Sequence, residues 1–377
     1  MKLISINSFL PLQPARITAG FFAFLVLSPL YLTACSDNQQ PGAEYLPRLL
    51  NVLDMEEAEL TNQTGLIRPI PRVDRSLLKQ ALPEVRIDLL DMLSLGGCEL
   101  AQTIGERNSS LGKLAQDSQR MRMESDFLRL APACIEQLKN DQPELSNSLQ
   151  MAYDSKYQHR MKIWWNGWIA GAEWQALTSA SAKPLIFLDA SNPTTETANQ
   201  LSDASNEEPH QNLTLASLDL AIHQGENWLA GNLNYDSQQQ EQALYQWLLG
   251  ESIGRWQTSQ SWLTHQLLLT NTALQTRREQ RHPCPQGRKT QRAEHLSNVM
   301  LKFYIGELQP YMAQTDRFGQ ELLERLNRLA ELDTPPPAFS EWLSQIRQSR
   351  EDFISASKTH VETLSGILNE CGMAPGR

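Results

Sequence analysis

The sequence predicts a mostly α-helical protein, built as an elongated bundle of long antiparallel helices with little or no β-structure. Three observations predict this fold class. Apolar residues recur at helical spacing through most of the chain, the alternation typical of strands is almost absent, and proline-containing breaks separate the long periodic stretches. We expect each helix to bury its apolar face against its neighbours.

The first half of the body contains several short elements. Residues 45–53 form a short amphipathic helix, and residues 61–83 form an extended strap over the surface. A core helix is predicted from residue 83 to residue 104. A further helix begins with Ser118 as its N-cap and ends at Pro132, which starts a new turn carrying Cys134.

The second half is predicted to contain longer elements. A short apolar run at 183–189 is either an isolated strand or a buried connector, and residues 190–211 form a polar loop. The remaining predicted helices cover residues 143–179, 214–227, 236–281, 290–332 and 340–371, and Pro310 should kink the fourth of these.

Residues 1–34 are predicted to be a lipoprotein signal peptide that is removed. The segment contains Lys2 and Arg16, no acidic residue, and an apolar run that ends at Leu32-Thr33-Ala34-Cys35. Small residues before the cut and a cysteine after it match the pattern that lipoprotein processing requires. A retained transmembrane helix is the alternative, but it needs about 20 apolar residues, and this run is shorter and broken by Pro29.

Cys35 would therefore become the first residue and carry acyl chains that anchor the protein in a lipid bilayer. Residues 35–44 then form a polar tether. Ser36 at the second position favours the outer membrane, whereas Asp37 at the third leaves the inner membrane open. Beyond the tether, residues 45–377 form one helical body, or two sub-bundles (45–185 and 212–377) joined by the polar loop.

The charge balance argues against nucleic acid as a partner. The chain has 33 basic and 43 acidic residues and a formal net charge of −10. Loss of Lys2 and Arg16 with the signal peptide would make this charge more negative still. Nucleic acids and anionic membrane surfaces both attract clustered Lys and Arg, which the body does not show.

Four cysteines remain besides Cys35, an even number that suggests two disulfides in an exported chain. Of the three possible connectivities we favour Cys98–Cys134 and Cys284–Cys371. The first pair lies on successive helices, and the second would join the end of the last helix to a proline-rich turn. A reactive Cys284 thiol beside His282 is the alternative. No cysteine or histidine spacing typical of zinc occurs, and no metal or cofactor is predicted.

The most unusual polar segment is Glu106-Arg107-Asn108-Ser109-Ser110-Leu111-Gly112. Arg107 could bind a carboxylate or phosphate group of a ligand there, with Glu106 and Asn108 as further binding residues. The alternative is a helix end capped by Asn108, with Glu106 and Arg107 in a structural ion pair. Glu99 and Glu106 are also the best pair of carboxylates for hydrolysis of a glycan, although acidic residues at this spacing usually form a solvated helix face.

Tryptophans are unevenly distributed, since eight of the nine fall between Trp164 and Trp262. Trp164, Trp165 and Trp168 form one cluster that either fills the core or forms a partner surface. Because neighbouring helical residues point about 100° apart, Trp164 and Trp165 are not expected to face the same core. This cluster is therefore a candidate binding surface, and the candidates to face it from the next long helix are Trp247, Trp256 and Trp262.

One part of the chain resembles a known family of uncharacterised proteobacterial lipoproteins, domain of unknown function 3080. The segments that carry the resemblance are Leu82-Pro83-Glu84, Ile87-Asp88-Leu89-Leu90, Cys98-Glu99-Leu100, Glu106 to Gly112 and Ala131-Pro132-Ala133-Cys134. The resemblance implies a Gram-negative envelope lipoprotein with cysteines at 98 and 134. It implies no activity.

The sequence thus predicts an outer-membrane-anchored lipoprotein that faces the periplasm and binds an envelope protein. An envelope hydrolase acting on peptidoglycan or lipid is the first alternative, and a carrier of an apolar ligand is the second. The absence of G-x-S-x-G, P-loop, H-E-x-x-H and G-x-G-x-x-G motifs disfavours an enzyme without excluding one.

Overall fold

Every regular element that the computed structural model describes is helical. The model describes residues 40–84, 97–187 and 207–373, and no strand occurs in these ranges. The predicted fold class is therefore confirmed. The signal peptide, Cys35 and the tether before Gln40 lie outside the described residues, as does most of the predicted polar loop.

The helices are numbered here in chain order. They are α1 Tyr45–Leu53, α2 Glu57–Thr64, α3 Arg75–Leu78, α4 Leu100–Asn108, α5 Ser110–Leu114, α6 Asp117–Leu138, α7 Pro143–Gln158, α8 Arg160–Trp168, α9 Ala172–Thr178, α10 Glu207–Leu229, α11 Ser237–Gly250, α12 Ser252–Gln280, α13 Gln291–Val299, α14 Gln309–Leu332 and α15 Pro337–Glu370. A π-helical segment, Met300–Leu308, joins α13 to α14 without a break.

Local signals set several helix starts correctly. Helix α1 has the predicted bounds, because its leucines recur at helical spacing and Asp54 ends it in a left-handed conformation with φ of 59°. The Asp236 side chain caps α11 by accepting the backbone N–H groups of Gln238 and Gln239 at 2.9 and 3.1 Å. The prediction for Ser118 was wrong, since α6 already begins at Asp117 and Ser118 lies inside it.

Two long helices predicted as continuous are in fact broken. The stretch 143–179 forms α7, α8 and α9, with interruptions at His159 and at Gly171, where φ and ψ leave the helical range. The stretch 236–281 breaks at Glu251, which adopts a left-handed conformation with φ of 45°. Apolar periodicity continues across all three interruptions, so the sequence pattern alone does not show them.

Two prolines behave differently from expectation. Pro132 lies within α6 instead of starting a new turn. An interior proline costs about 3 kcal/mol, and here buried Ala131, Cys134 and Leu138 hold the helix on both sides of it. Pro310 is the second residue of α14, and the nine-residue π-helical segment ends just before that helix, so the expected kink is replaced by a wider helical segment without a break.

The strap is less extended than predicted. Helix α2 reaches into it as far as Thr64, and Asp74 caps the single turn of α3 by accepting from the Ser76 backbone N–H at 2.8 Å. The Arg75 guanidinium fastens the strap to the body by donating to the carbonyl oxygen of Ala170 at 2.6 Å. The strap is therefore bound to the helical body at defined points.

The described residues from Gln40 onward form one compact unit with two clusters of buried apolar side chains. The first cluster surrounds α8 and includes side chains from α6, α10, α11 and the first turns of α15. The second joins α1 to the later parts of α12 and α15 and to the π-helical segment. Helices α12 and α15 contribute to both clusters and pack along each other.

Both predicted disulfides are present. Cys98 is bonded to Cys134 with their Cα atoms 5.6 Å apart, and Cys284 to Cys371 with their Cα atoms 5.3 Å apart. The second bond excludes a free Cys284 thiol. His282 instead places Nε2 2.6 Å from a carboxylate oxygen of Glu370.

A buried histidine links three helices in the second cluster. The hydroxyl of Tyr45 lies 2.7 Å from Nε2 of His360, and Oδ1 of Asn271 lies 2.8 Å from Nδ1. The Asn271 amide nitrogen donates to the carbonyl oxygen of Ala356, so its oxygen accepts from Nδ1 of His360. Burial lowers the pKa of His360 to about 4 and so favours the neutral imidazole, in which Nε2 accepts from Tyr45.

We expect His360 to make the protein less stable as the pH falls from 6.5 to 4. In the unfolded chain the histidine has a pKa near 6.5 and is protonated below that pH. In the folded chain His360 is protonated only near pH 4, because its pKa there is about 4. The His360 contribution is therefore complete above pH 6.5 and is lost progressively below it, by about 3 kcal/mol in all. The phenols facing the ring, Tyr45 and Tyr304, stay neutral in this range because burial raises the pKa of both.

Urea unfolding measured across this pH range tests the prediction. The variant His360→Asn should be less stable at neutral pH because Tyr45 loses its partner, but its free energy of unfolding should fall less steeply with acid. Equal slopes for the variant and the unchanged protein would contradict the assignment.

Candidate functional site

The polar segment singled out in the sequence forms a tight reversal between two helices. Helix α4 ends at Asn108, and the Ser109 hydroxyl begins α5 by accepting the Gly112 backbone N–H at 2.9 Å. A Cβ atom on Gly112 would lie 2.1 Å from the carbonyl oxygen of Glu106, so only glycine allows this approach. Asn108 is the last helical residue of α4. It does not adopt the left-handed conformation predicted for a cap at this position.

Ion pairs hold this reversal on α6. Glu106 pairs with Arg122, and Nε of Arg107 lies 3.5 Å from a carboxylate oxygen of Glu124. Both residues are thus in ion pairs, as the structural alternative supposed, but their partners are on α6 and they do not pair with each other. The Glu106–Arg122 pair is exposed and contributes little stability. The Arg107–Glu124 pair involves a buried carboxylate and restricts the position of Arg107.

Helix α5 presents two leucines to solvent. Leu111 is 82% exposed and Leu114 is 83% exposed, the highest values among the large apolar side chains of the described residues. Lys113 lies between them in the same helix. We call this surface, formed by Leu111, Lys113 and Leu114, the α5 face.

A cleft of about 500 Å³ lies behind this reversal, between the strap and helices α6, α7 and α8. A smaller recess of about 50 Å³ adjoins it, and Arg107, Glu124 and Lys156 line both spaces. The other residues of the cleft are Lys79, Gln80, Ala81, Leu82, Pro83, Glu84, Asp117, Arg120, Met121, Ser155, His159, Ile163 and Asn166. A volume of this size is in the usual range for a small-molecule site.

The strap forms one wall of the cleft and is attached to α8 by a pair of hydrogen bonds. The Gln80 backbone N–H donates to Oδ1 of Asn166 at 2.8 Å, and Nδ2 of Asn166 donates to the Gln80 carbonyl oxygen at 2.8 Å. Asn166 is buried, and its amide matches the backbone groups of one extended residue. This wall is consequently fixed relative to the helices.

Two buried carboxylates of the cleft each contact two cations. Asp117, 6% exposed, accepts from Arg75 Nη2 at 2.7 Å and from Lys79 Nζ at 2.8 Å. Glu124 pairs with Lys156 and with Arg107. Buried carboxylates need such partners, because an unpaired charge would be costly to remove from water.

The ammonium group of Lys156 is held from a second direction as well. Its nitrogen lies 5.2 Å from the centre of the Phe127 ring, which faces the smaller recess. The cation–ring contact and the Glu124 pair together restrict the lysine side chain. The cleft therefore has positive groups in defined positions.

The tryptophan cluster is core and not a partner surface. Trp164, Trp165 and Trp168 are all 0% exposed. The expectation that Trp164 and Trp165 would not share a core was wrong, because α8 is packed between α6 and α10 and is covered on more than one side. Trp168 faces Trp247 as predicted, with ring centres 5.4 Å apart. Among the described residues, neither Trp256 nor Trp262 makes a ring contact with the cluster.

The two glutamates considered for hydrolysis are not brought together in the cleft. Glu99 is exposed before the first turn of α4, Glu106 is paired with Arg122 near the other end, and neither lines the cleft. Seven helical residues separate them by about 10 Å along the axis. This arrangement does not favour the hydrolase alternative.

Sequence reasoning found Arg107 but missed the residues that surround it. Lys79, Asp117, Glu124 and Lys156 come from the strap, α6 and α7, and each appears in the sequence as an ordinary surface charge. No local motif links them. Within the described ranges, no group of three or more His, Cys, Asp or Glu side chains could hold a metal ion.

Comparison with known proteins identifies the family. The model of a protein family of unknown function, DUF3080, matches residues 43–375. The chain belongs to this family. The match includes the α5 face, the cleft and both disulfides, and the family has no assigned activity. No curated protein and no solved structure matches the chain.

None of the helices in the described part of this DUF3080 protein is long and apolar enough to cross a membrane.

Proposed function

We propose that this DUF3080 protein is an outer-membrane lipoprotein whose helical body faces the periplasm and binds an envelope protein through the α5 face. The observation that carries the binding proposal is the exposure of Leu111 and Leu114 on a helix held in one position. The lipobox ending at Cys35 supports the anchoring. The two disulfides support a location in an oxidising compartment, as the periplasm is.

The α5 face has the properties of a small protein-binding surface. Burying a leucine side chain contributes about 1.5–3 kcal/mol, and both leucines keep most of that potential in the isolated chain. The Ser109 cap, the close approach at Gly112 and the Arg107–Glu124 pair fix the helix before a partner arrives. Such preorganisation lowers the entropy lost on binding.

In-cell cross-linking of the full chain tests the partner. We expect a reproducible cross-linked envelope protein that is lost in the double variant Leu111→Ser, Leu114→Ser. The matched control is Leu301→Ser, Ile305→Ser, which removes two exposed apolar side chains, 56% and 43% exposed, from the π-helical segment. The control should retain the cross-link. Retention in both variants, or absence of any cross-link in the unchanged protein, would overturn the proposal for the α5 face.

The anchor is tested in the same cells by labelling with a fatty-acid analogue and separating the two membranes. The unchanged protein should be labelled and should sediment with the outer membrane, whereas Cys35→Ser should lose the label. A labelled Cys35→Ser variant, or an unchanged protein in the inner-membrane fraction, would contradict the anchoring proposal.

A further inference from the structure

The cleft concentrates positive charge in a chain that is negative as a whole. Among the described residues that line it, four are basic (Lys79, Arg107, Arg120 and Lys156) and three are acidic (Glu84, Asp117 and Glu124). Over the full sequence, acidic residues outnumber basic ones by 43 to 33. The cleft thus reverses the charge balance of the protein.

The ion pairs show how large the excess is. Asp117 lies between Arg75 and Lys79, and Glu124 lies between Lys156 and Arg107, so each carboxylate is matched by two cations. One positive charge remains at each centre. This total of two exceeds the excess of one among the lining residues because Arg75 contacts Asp117 without lining the cleft. The other two charged groups of the lining, Glu84 and Arg120, are opposite in sign and offset each other in the formal count.

Arg107 has a donor that the protein does not use. Its Nε atom is buried and forms no hydrogen bond, because the 3.5 Å approach to Glu124 does not have hydrogen-bond geometry. The same guanidinium lines both the cleft and the smaller recess. Buried donors are normally satisfied, and an arginine in this position is suited to an anion with several acceptor oxygens.

We propose that the cleft binds a phosphate monoester. A monoester carries about −1.5 to −2 charges at neutral pH and presents three strong acceptor oxygens, which matches the two excess positive charges and the spare donor of Arg107. The apolar side chains of the recess, Ile104, Met123 and Phe127, would lie beside the organic part of the ligand. This site goes beyond the partner surface on α5 and does not depend on it.

The phosphate could belong to a small soluble molecule or to a lipid headgroup, and calorimetric titration of the full chain separates the two. One arm uses glycerol 3-phosphate, with glycerol as the uncharged probe and succinate as a dicarboxylate. The other uses vesicles of phosphatidylcholine with and without phosphatidic acid. Binding of glycerol 3-phosphate supports a soluble ligand, and binding confined to vesicles with phosphatidic acid supports a headgroup.

Variants show whether either interaction occurs in the cleft. Each of the variants Lys79→Gln and Lys156→Gln removes one of the two cations that surround a buried carboxylate. Each should weaken binding of the phosphate probe about tenfold or more. Lys139→Gln, which removes an exposed lysine directly after α6 and outside the cleft, should leave binding unchanged. Both variants remove a partner of a buried carboxylate. Lys156→Gln replaces a side chain that is 20% exposed and leaves Glu124 only the 3.5 Å approach of Arg107. Lys79→Gln replaces one that is 43% exposed and leaves Asp117 its 2.7 Å pair with Arg75, so it is the variant that disturbs the fold less.

The proposal is overturned if neither phosphate probe binds, if succinate binds more tightly than glycerol 3-phosphate, or if Lys79→Gln binds as well as the unchanged protein.

Discussion

Gly254→Ala is expected to lower the free energy of unfolding by about 3 kcal/mol or more, because the new methyl group has no space. A Cβ atom on Gly254 would lie 1.6 Å from the carbonyl oxygen of Ser179 and 2.6 Å from its carbonyl carbon. Both are backbone atoms, so no side chain can rotate away. Helix α12 would have to separate from the segment that follows α9, and urea unfolding would measure the loss.

A second glycine in a helix provides the matched control. At Gly366 in α15 the nearest atom to an added Cβ is Nη1 of Arg278, 3.9 Å away. Gly366→Ala should therefore stabilise the protein by about 0.5–1 kcal/mol, since alanine loses less backbone entropy in a helix. If Gly254→Ala behaved like this control, the close contact between α12 and Ser179 would be wrong.

Trp165→Ala is expected to lower the free energy of unfolding by about 3–5 kcal/mol. The indole is fully buried, its ring centre lies 5.0 Å from that of Phe339, and its Nε1–H donates to the carbonyl oxygen of Leu78 at 2.9 Å. Truncation would leave a cavity between α8 and α15 and an unsatisfied carbonyl group in the strap. Thermal or urea unfolding would measure the change.

Trp165→Phe separates the two contributions. It keeps most of the apolar volume and removes the hydrogen bond to Leu78, so a loss of about 1–2 kcal/mol is expected. The partner-surface hypothesis makes a different prediction, in which Trp165→Ala leaves stability unchanged and abolishes partner binding. Unchanged stability in the alanine variant would therefore contradict the buried position of this residue.

Individual helices could be predicted because their causes lie in short stretches of sequence, as the leucine spacing of α1 shows. The pairing of Cys98 with Cys134 was also correct, but the expectation that they lie on successive helices was wrong, since Cys98 precedes α4 and α5 separates α4 from α6. The break at Glu251 could not be predicted, because apolar spacing continues through it and the interruption depends on how α11 and α12 pack. At Pro132 the error was the reverse, because a break was predicted where the helix continues. The local preference of proline is to end a helix, but packing and the Cys134 disulfide hold α6 together there.

The candidate site was predicted only in part. The α5 reversal was recognised because its polar residues and Gly112 are consecutive. The cleft behind it was not, because Lys79, Glu124 and Lys156 are far apart in the chain and each resembles a solvated surface residue until the strap, α6 and α7 come together. The prediction for the α8 tryptophans assumed that only one face of the helix is buried. Neighbouring helices cover α8 on more than one side and bury all of them.

The sequence by itself determined the helical class and several helix starts, since apolar periodicity acts over short distances, and it favoured the cysteine partners that the structure shows. The tertiary structure alone decided which charges share the cleft, which tryptophans are buried and which leucines remain exposed. The reason is physical: burial and charge pairing depend on what covers a side chain, and the covering groups here come from other segments of the chain.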